Sequence, residues 1–227
     1  MGTLIINFKN FSEVLGGGSL RLAEAAERVS KKLGVEIIVC PPGPMLSAVS
    51  TAVRIPVFSQ AVQESRTEQS TGAVVPEAVK AAGARGTILN HSENRADEKV
   101  VKRLAPRLEA MGLEVCLCVN SVAEATRYAT LGTSFLAIEP PELIGSGRAV
   151  STAKPFIVEG TVSSARRAGY KGRILCGAGI VGRGDVQRAL ELGADGMLVA
   201  SGIVKSDNWA RKISEIASPL TSSPRKL

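Results

Sequence analysis

The chain contains one histidine, His91, set in the run NHSENR (90–95). Two residues of complementary chemistry stand in comparable places, each just after a short β-branched run. They are Lys9 in INFK and Glu139 at the head of EPPELIGSG (139–147). A carboxylate held within hydrogen-bond reach can take a proton from carbon. An imidazole can give and take protons near neutral pH. A lysine supplies a point charge suited to phosphate or to a developing oxyanion. Taken singly, each has a plainer reading: a solvated lysine, a surface or capping histidine, a turn acid stiffened by two prolines. Ser92 reads as the N-cap of the helix that follows, and Glu93 as a carboxylate pairing with Lys9 or Arg95. What carries weight is the joint placement of cation, imidazole and carboxylate at strand ends.

Two glycine-containing turns add a second chemistry. GAGIVG (177–182) and ASGIV (200–204) each follow a strand-like run immediately. Such turns let backbone N–H groups approach and bind a phosphate monoester. GAGIVG also matches the dinucleotide pattern G-x-G-x-x-G, which wants an acidic residue ending the next strand to hold a ribose. Asp195 is about the right distance on, but it precedes its strand, which argues against a nicotinamide site.

Elements must hold these residues together. Strand-like runs occupy 3–9, 35–40, 55–59, 86–90, 113–118, 134–138, 172–176 and 196–200. Helix-like segments at 19–33, 96–112, 121–132, 184–193 and 208–217 form the clearest set between them, and Pro106 should kink or divide the second. Strand alternating with helix means βαβ units and a parallel sheet. Eight units predict a (β/α)₈ TIM barrel, with an open doubly wound sheet as the competitor. On a barrel, chemistry belongs at the C-terminal strand ends and phosphate in the loops after strands seven and eight. No linker interrupts 1–227, so one domain is expected, with a frayed tail from about 219 to 227.

Composition is consistent with a globular chain. Of 227 residues, 44% are apolar and 22% charged, which excludes wholesale disorder. The net charge of +7 suits an anionic partner. Its basic residues are spread along helices with few aromatics interleaved, so no nucleic-acid role is expected. The longest uncharged stretch, between Glu36 and Arg54, holds Pro41, Pro42 and Pro44, so no membrane span is expected. Cys40, Cys116, Cys118 and Cys176 lie in strand-like runs without C-x-x-C spacing. They read as reduced core residues, and with no secretory signal a cytoplasmic location is expected. Cys116 and Cys118 share a strand face that could offer two metal ligands, but one histidine makes a full zinc set improbable.

Six motifs in order, NFK (7–9), STG (70–72), NHSENR (90–95), EPPELIGSG (139–147), CGAGI (176–180) and LVASG (198–202), make the chain similar to the triosephosphate isomerase family, in its shorter archaeal-type branch. The resemblance covers nearly the whole chain. It implies interconversion of dihydroxyacetone phosphate and glyceraldehyde 3-phosphate, without metal or organic cofactor. By that resemblance Glu139 is the base that shuttles the proton between C1 and C2. His91 polarises the carbonyl, and Lys9 binds the anionic substrate. Asn7 places Lys9 and touches substrate, and Glu93 lies near Lys9. Ile144, Gly145, Gly179, Ala200 and Ser201 contact the phosphate, largely through backbone N–H. EPPELIGSG resembles the family's mobile lid. A histidine at a helix N-terminus would be held neutral by the dipole, an argument borrowed from the known case of this family.

Against longer members, the lid carries PPEL in place of a tryptophan-containing segment. Ser146 stands for threonine and keeps its hydroxyl. Gly179 stands for serine, and Ala200 and Ser201 for two glycines. QESRTEQSTG (63–72) resembles the loop that inserts into a neighbouring subunit, implying a homodimer or homotetramer in which Thr71 contacts the partner's active-site region. Other phosphosugar barrels share the phosphate loops but not NFK, HSE and EPPELIGSG together. A non-catalytic phospho-ligand barrel predicts loss of Lys9, His91 or Glu139, and all are present.

Overall fold

The computed structural model describes residues 2–65, 68–140 and 149–222. Eight strands run in parallel: β1 Thr3–Asn7, β2 Glu36–Cys40, β3 Phe58–Ser59, β4 Gly86–Leu89, β5 Glu114–Val119, β6 Phe135–Ile138, β7 Arg173–Cys176 and β8 Gly196–Val199. They form one sheet in the order β2-β1-β8-β7-β6-β5-β4-β3. Its two edges meet through a single parallel bridge, Val39 to Val57. This is a TIM barrel, closed at one seam by the shortest strand. The open doubly wound sheet does not form.

Helices cover the outside: α1 Gly17–Leu33, α2 Leu46–Ala52, α3 Pro76–Ala81, α4 Glu98–Ala110, α5 Val122–Tyr128, α6 Val150–Ala153, α7 Pro155–Arg167, α8 Arg183–Glu191, α9 Ser201–Val204 and α10 Trp209–Ala217. In α1, Leu22, Ala23, Ala26 and Val29 form the buried stripe, and Gly34 ends the helix with φ +66°. The helix α4 is not divided at Pro106. Pro106 and Lys102 both lie on the exposed face. The carbonyl that loses its i+4 donor there can be hydrated, while Val101, Leu104 and Leu108 stay buried.

Both faces of each strand are buried, so strand periodicity sorts side chains into two cores. Leu4, Ile6, Ile37, Val39 and Leu117 face the helices. Ile5, Ile38, Cys40, Phe58, Ile88, Cys116, Cys118, Phe135, Ala137, Leu175 and Leu198 fill the barrel interior. Each buried isoleucine or leucine contributes about 1.5–3 kcal/mol of transfer free energy. Phe58 and Phe135 pack edge to face, with centroids 6.1 Å apart. A Cβ on Gly86 would stand 2.6 Å from the Phe58 ring, so β4 must begin with glycine. The three interior cysteines pack among apolar neighbours, so Cys116 and Cys118 belong to the core.

The tail is packed further than expected. Leu220 is fully buried, and its carbonyl accepts from the Gly2 N–H at 3.1 Å. No described helix is long and apolar enough to cross a membrane.

Candidate active site

The same periodicity builds the mouth. Ile5 points inward, so Asn7 does too; likewise Ile88 and Asn90, Ala137 and Glu139, Leu175 and Gly177, Leu198 and Ala200. These residues form the top layer of the interior. Above them lies a cavity of about 430 Å³ that Asn7, Lys9, His91, Glu93, Glu139, Gly179, Ala200 and Ser201 all line. Ile144, Gly145 and Ser146 lie outside the described residues. Thr71 is exposed in a turn and does not line this cavity.

Lys9 follows β1 in a left-handed backbone conformation, φ +49°. For a residue with a Cβ that costs about 1–2 kcal/mol. Its N–H donates to Asn7 Oδ1 at 3.0 Å. Its ammonium donates to Glu93 Oε1 at 2.6 Å, with the lysine side chain 17% exposed and Glu93 57% exposed. Glu93 therefore pairs with Lys9, and Arg95 pairs with Glu124.

His91 is 7% exposed. The Glu93 N–H donates to its Nδ1 at 3.1 Å, so Nδ1 carries a lone pair and the imidazole proton sits on Nε2. Nε2 faces Glu139 Oε1 at 3.5 Å. That is too long for a good hydrogen bond, and it leaves the Nε2–H available to a ligand. The expected helix dipole is not at work here. Residues 92–94 make a turn, and α4 begins at Glu98. The contact that orients the ring is a single backbone donor, the Glu93 N–H. Nor is Ser92 an N-cap: Asp97 holds that position, and the Ser92 hydroxyl is buried without a partner.

Glu139 directly follows β6 and is 2% exposed, with Oε2 buried and unpartnered. A buried carboxylate oxygen with no donor is costly to keep. Gly177 creates its space: a Cβ there would lie 2.6 Å from Glu139 Cγ. Below it, burial, Cys116 and the Glu139 charge together hold the Cys118 thiol well above its ordinary pKa.

The far wall is backbone. Gly179 has φ +72°. Ala200 precedes the short helix α9, whose first amides have no intrahelical acceptor. A Cβ on Gly202 would meet the Ile180 carbonyl oxygen at 2.4 Å, so the two loops touch backbone to backbone. Three features escaped sequence reading. Gly177 was read as a turn glycine, and the parity of β7 against β6 is the signal that would have found its packing role. Lys205 brings a further cation to the cavity wall, 5.0 Å above the Phe11 ring. Asn90, φ +63°, donates through its side chain to the Cys118 carbonyl at 3.0 Å and fixes the start of the His91 turn. The nicotinamide reading fails on position. Asp195 lies at the opposite end of the barrel, accepting from the Ile174 N–H and pairing with Arg166.

Comparison with known proteins bears on this geometry. The family model described as Triosephosphate isomerase matches residues 2–216. A triosephosphate isomerase from Caldivirga maquilingensis is 42% identical over 96% of each chain. One from Cenarchaeum symbiosum is 42% identical, covering 96% of this chain and 97% of its own. One from Methanocaldococcus jannaschii is 38% identical, covering 94% of this chain and 97% of its own.

Proposed function

The chain belongs to the triosephosphate isomerase family, and we propose that Glu139, His91 and Lys9 carry the family's interconversion of dihydroxyacetone phosphate and glyceraldehyde 3-phosphate. The observation that carries this assignment is the placement of Glu139 Oε1 3.5 Å from an Nε2 whose partner nitrogen is already occupied. Glu139 takes the proton from the carbon next to the carbonyl and returns it to the neighbouring carbon. His91 donates from Nε2 to the carbonyl oxygen, acting as neutral imidazole, and moves the proton between the two oxygens. Charge builds on the enediolate, and the Lys9 ammonium offsets it in a site walled from water. Asn7 holds the Lys9 N–H and touches substrate, while Glu93 fixes both the ammonium and the imidazole.

The phosphate is held by Gly179, Ala200 and Ser201, whose loops present backbone N–H groups. Ile144 and Gly145 of the lid add donors, and the Ser146 hydroxyl supports closure. The reaction moves protons alone, so the side chains present suffice for it. The whole chain, 1–227, serves as one cytoplasmic domain that self-associates, with Thr71 entering the partner's site. A fully active monomer in sedimentation and kinetics would remove Thr71 from this scheme.

The decisive experiment is a coupled assay with glyceraldehyde 3-phosphate, run beside Glu139→Gln and His91→Ala. Losses of roughly 10²-fold or more are expected for both. Near-wild-type turnover in either variant would remove that residue from its role.

A further inference from the structure

We propose that Gln60 is a positioning residue for Lys9. Gln60 follows β3, and its side chain crosses the seam where the barrel closes by one bridge. Its amide nitrogen donates to the Lys9 carbonyl at 2.9 Å and to the Cys40 carbonyl at 3.0 Å. Both partners are carbonyls, which only accept, so the NH₂ end must face them. The Cys40 carbonyl also accepts from the Phe8 N–H at 3.0 Å, so it is an anchored post at the end of β2.

Lys9 is thereby held on both sides of its strained Cα. Asn7 fixes its N–H and Gln60 fixes its carbonyl. A left-handed residue with a Cβ relaxes to negative φ unless its surroundings forbid it. That relaxation would rotate the side chain out of the cavity and break the contact with Glu93. Asn7 alone leaves ψ free, and Gln60 supplies the second restraint. Gln60 touches no reacting atom; it acts through the direction in which Lys9 points.

This inference rests on the role given to Lys9, and the test separates the two. Four proteins are compared: wild type, Lys9→Ala, Gln60→Met and the double variant. Methionine matches glutamine in length and cannot donate. Gln60→Met should lower kcat/KM for glyceraldehyde 3-phosphate ~10-fold when Lys9 is present, the scale of the backbone penalty released. In the Lys9→Ala background the further loss should stay below ~2-fold, the limit for independent sites. Thermal midpoints should fall equally in both backgrounds, because the bridge to Cys40 is lost in each. Equal losses of kcat/KM in the two backgrounds would overturn the proposal and leave Gln60 as a seam staple. Wild-type kinetics in Lys9→Ala would overturn the role of Lys9 itself. Should Gln60→Met fail to fold, Gln60→Asn keeps an amide but falls one methylene short, and the same contrast applies.

Discussion

The two ends of the barrel handle polar groups differently. At the N-terminal floor the charged side chains are half-buried or exposed, and paired. Glu36 accepts from the Thr3 hydroxyl at 2.7 Å and pairs with Arg173. Glu109 accepts from the N–H of Val115 and of Ser134 and from the Ser134 hydroxyl. Arg166 donates to the carbonyls of Tyr170 and Gly172 and to Asp195. The discord there is Glu114, whose carboxyl is raised chiefly by burial and partly relieved by Arg85. At the mouth, Glu139 Oε2, Ser92 Oγ and Asn120 Oδ1 are buried without partners. Lys9 and Asn90 are both left-handed there. Pairing at the floor stabilises the fold, while the unpartnered atoms and left-handed residues at the mouth cost it stability.

Separating the ends experimentally calls for variants that move activity or stability but not both. The largest effect is expected for Gly177→Ala. Its new Cβ would displace Glu139 at Cγ, and if Glu139 is the base proposed above, a shift near 1 Å costs roughly 10²-fold in turnover. The thermal midpoint should change little, and an unchanged kcat would show that Glu139 tolerates the intrusion. Next comes Glu109→Ala at the floor, which strips the acceptor from two backbone donors. A stability loss of about 2–3 kcal/mol is expected with kcat unchanged, read by urea melts and the coupled assay.

A smaller effect tests the layers between. Burial holds the Cys40 and Cys118 thiols well above the ordinary value of 9.0 and lifts Cys176 to about 12. The folded thiols keep their protons where the unfolded ones lose them. Stability is therefore full below pH 9.0 and falls as the pH rises from there toward 12. Urea midpoints that stay flat across that window would contradict the buried protonated thiols. The smallest effect belongs to Ser92→Ala. With no bond to lose, stability should move by no more than about 0.5 kcal/mol, and a larger drop would reveal a partner for that hydroxyl.

The eight strands were legible because each is a short apolar run bounded by breakers, and β1, β2 and β5 lie within their expected segments to within a residue. The strand β3 was harder. Only Phe58–Ser59 forms a strand, with Val57 adding one bridge to Val39, and Pro56 has no N–H to give the ladder. Lys9, His91 and Glu139 were visible through their types and their places after strands. What stayed hidden depends on partners distant in sequence. Gln60 looks like any polar loop residue until Lys9 and Cys40 come within 3.0 Å. Ser92 has the residue type of a cap, but the chain turns before the helix begins. Pro106 reads as a break because the sequence alone does not say which face of α4 meets water.

The single bridge between β2 and β3 also makes the closed cylinder, in energetic terms, a rolled sheet with two edges touching. Amides near that contact have one ladder partner where those of β6 have neighbours on both sides. Native-state hydrogen exchange should therefore rank the strands: slowest in β5, β6 and β7, fastest around Val39 and β3. Opening there exposes the ends of β1 and β2 without dismantling the rest. The run from β4 through β8 to β1 is laddered without interruption, and the seam beside β3 is where local opening is expected first.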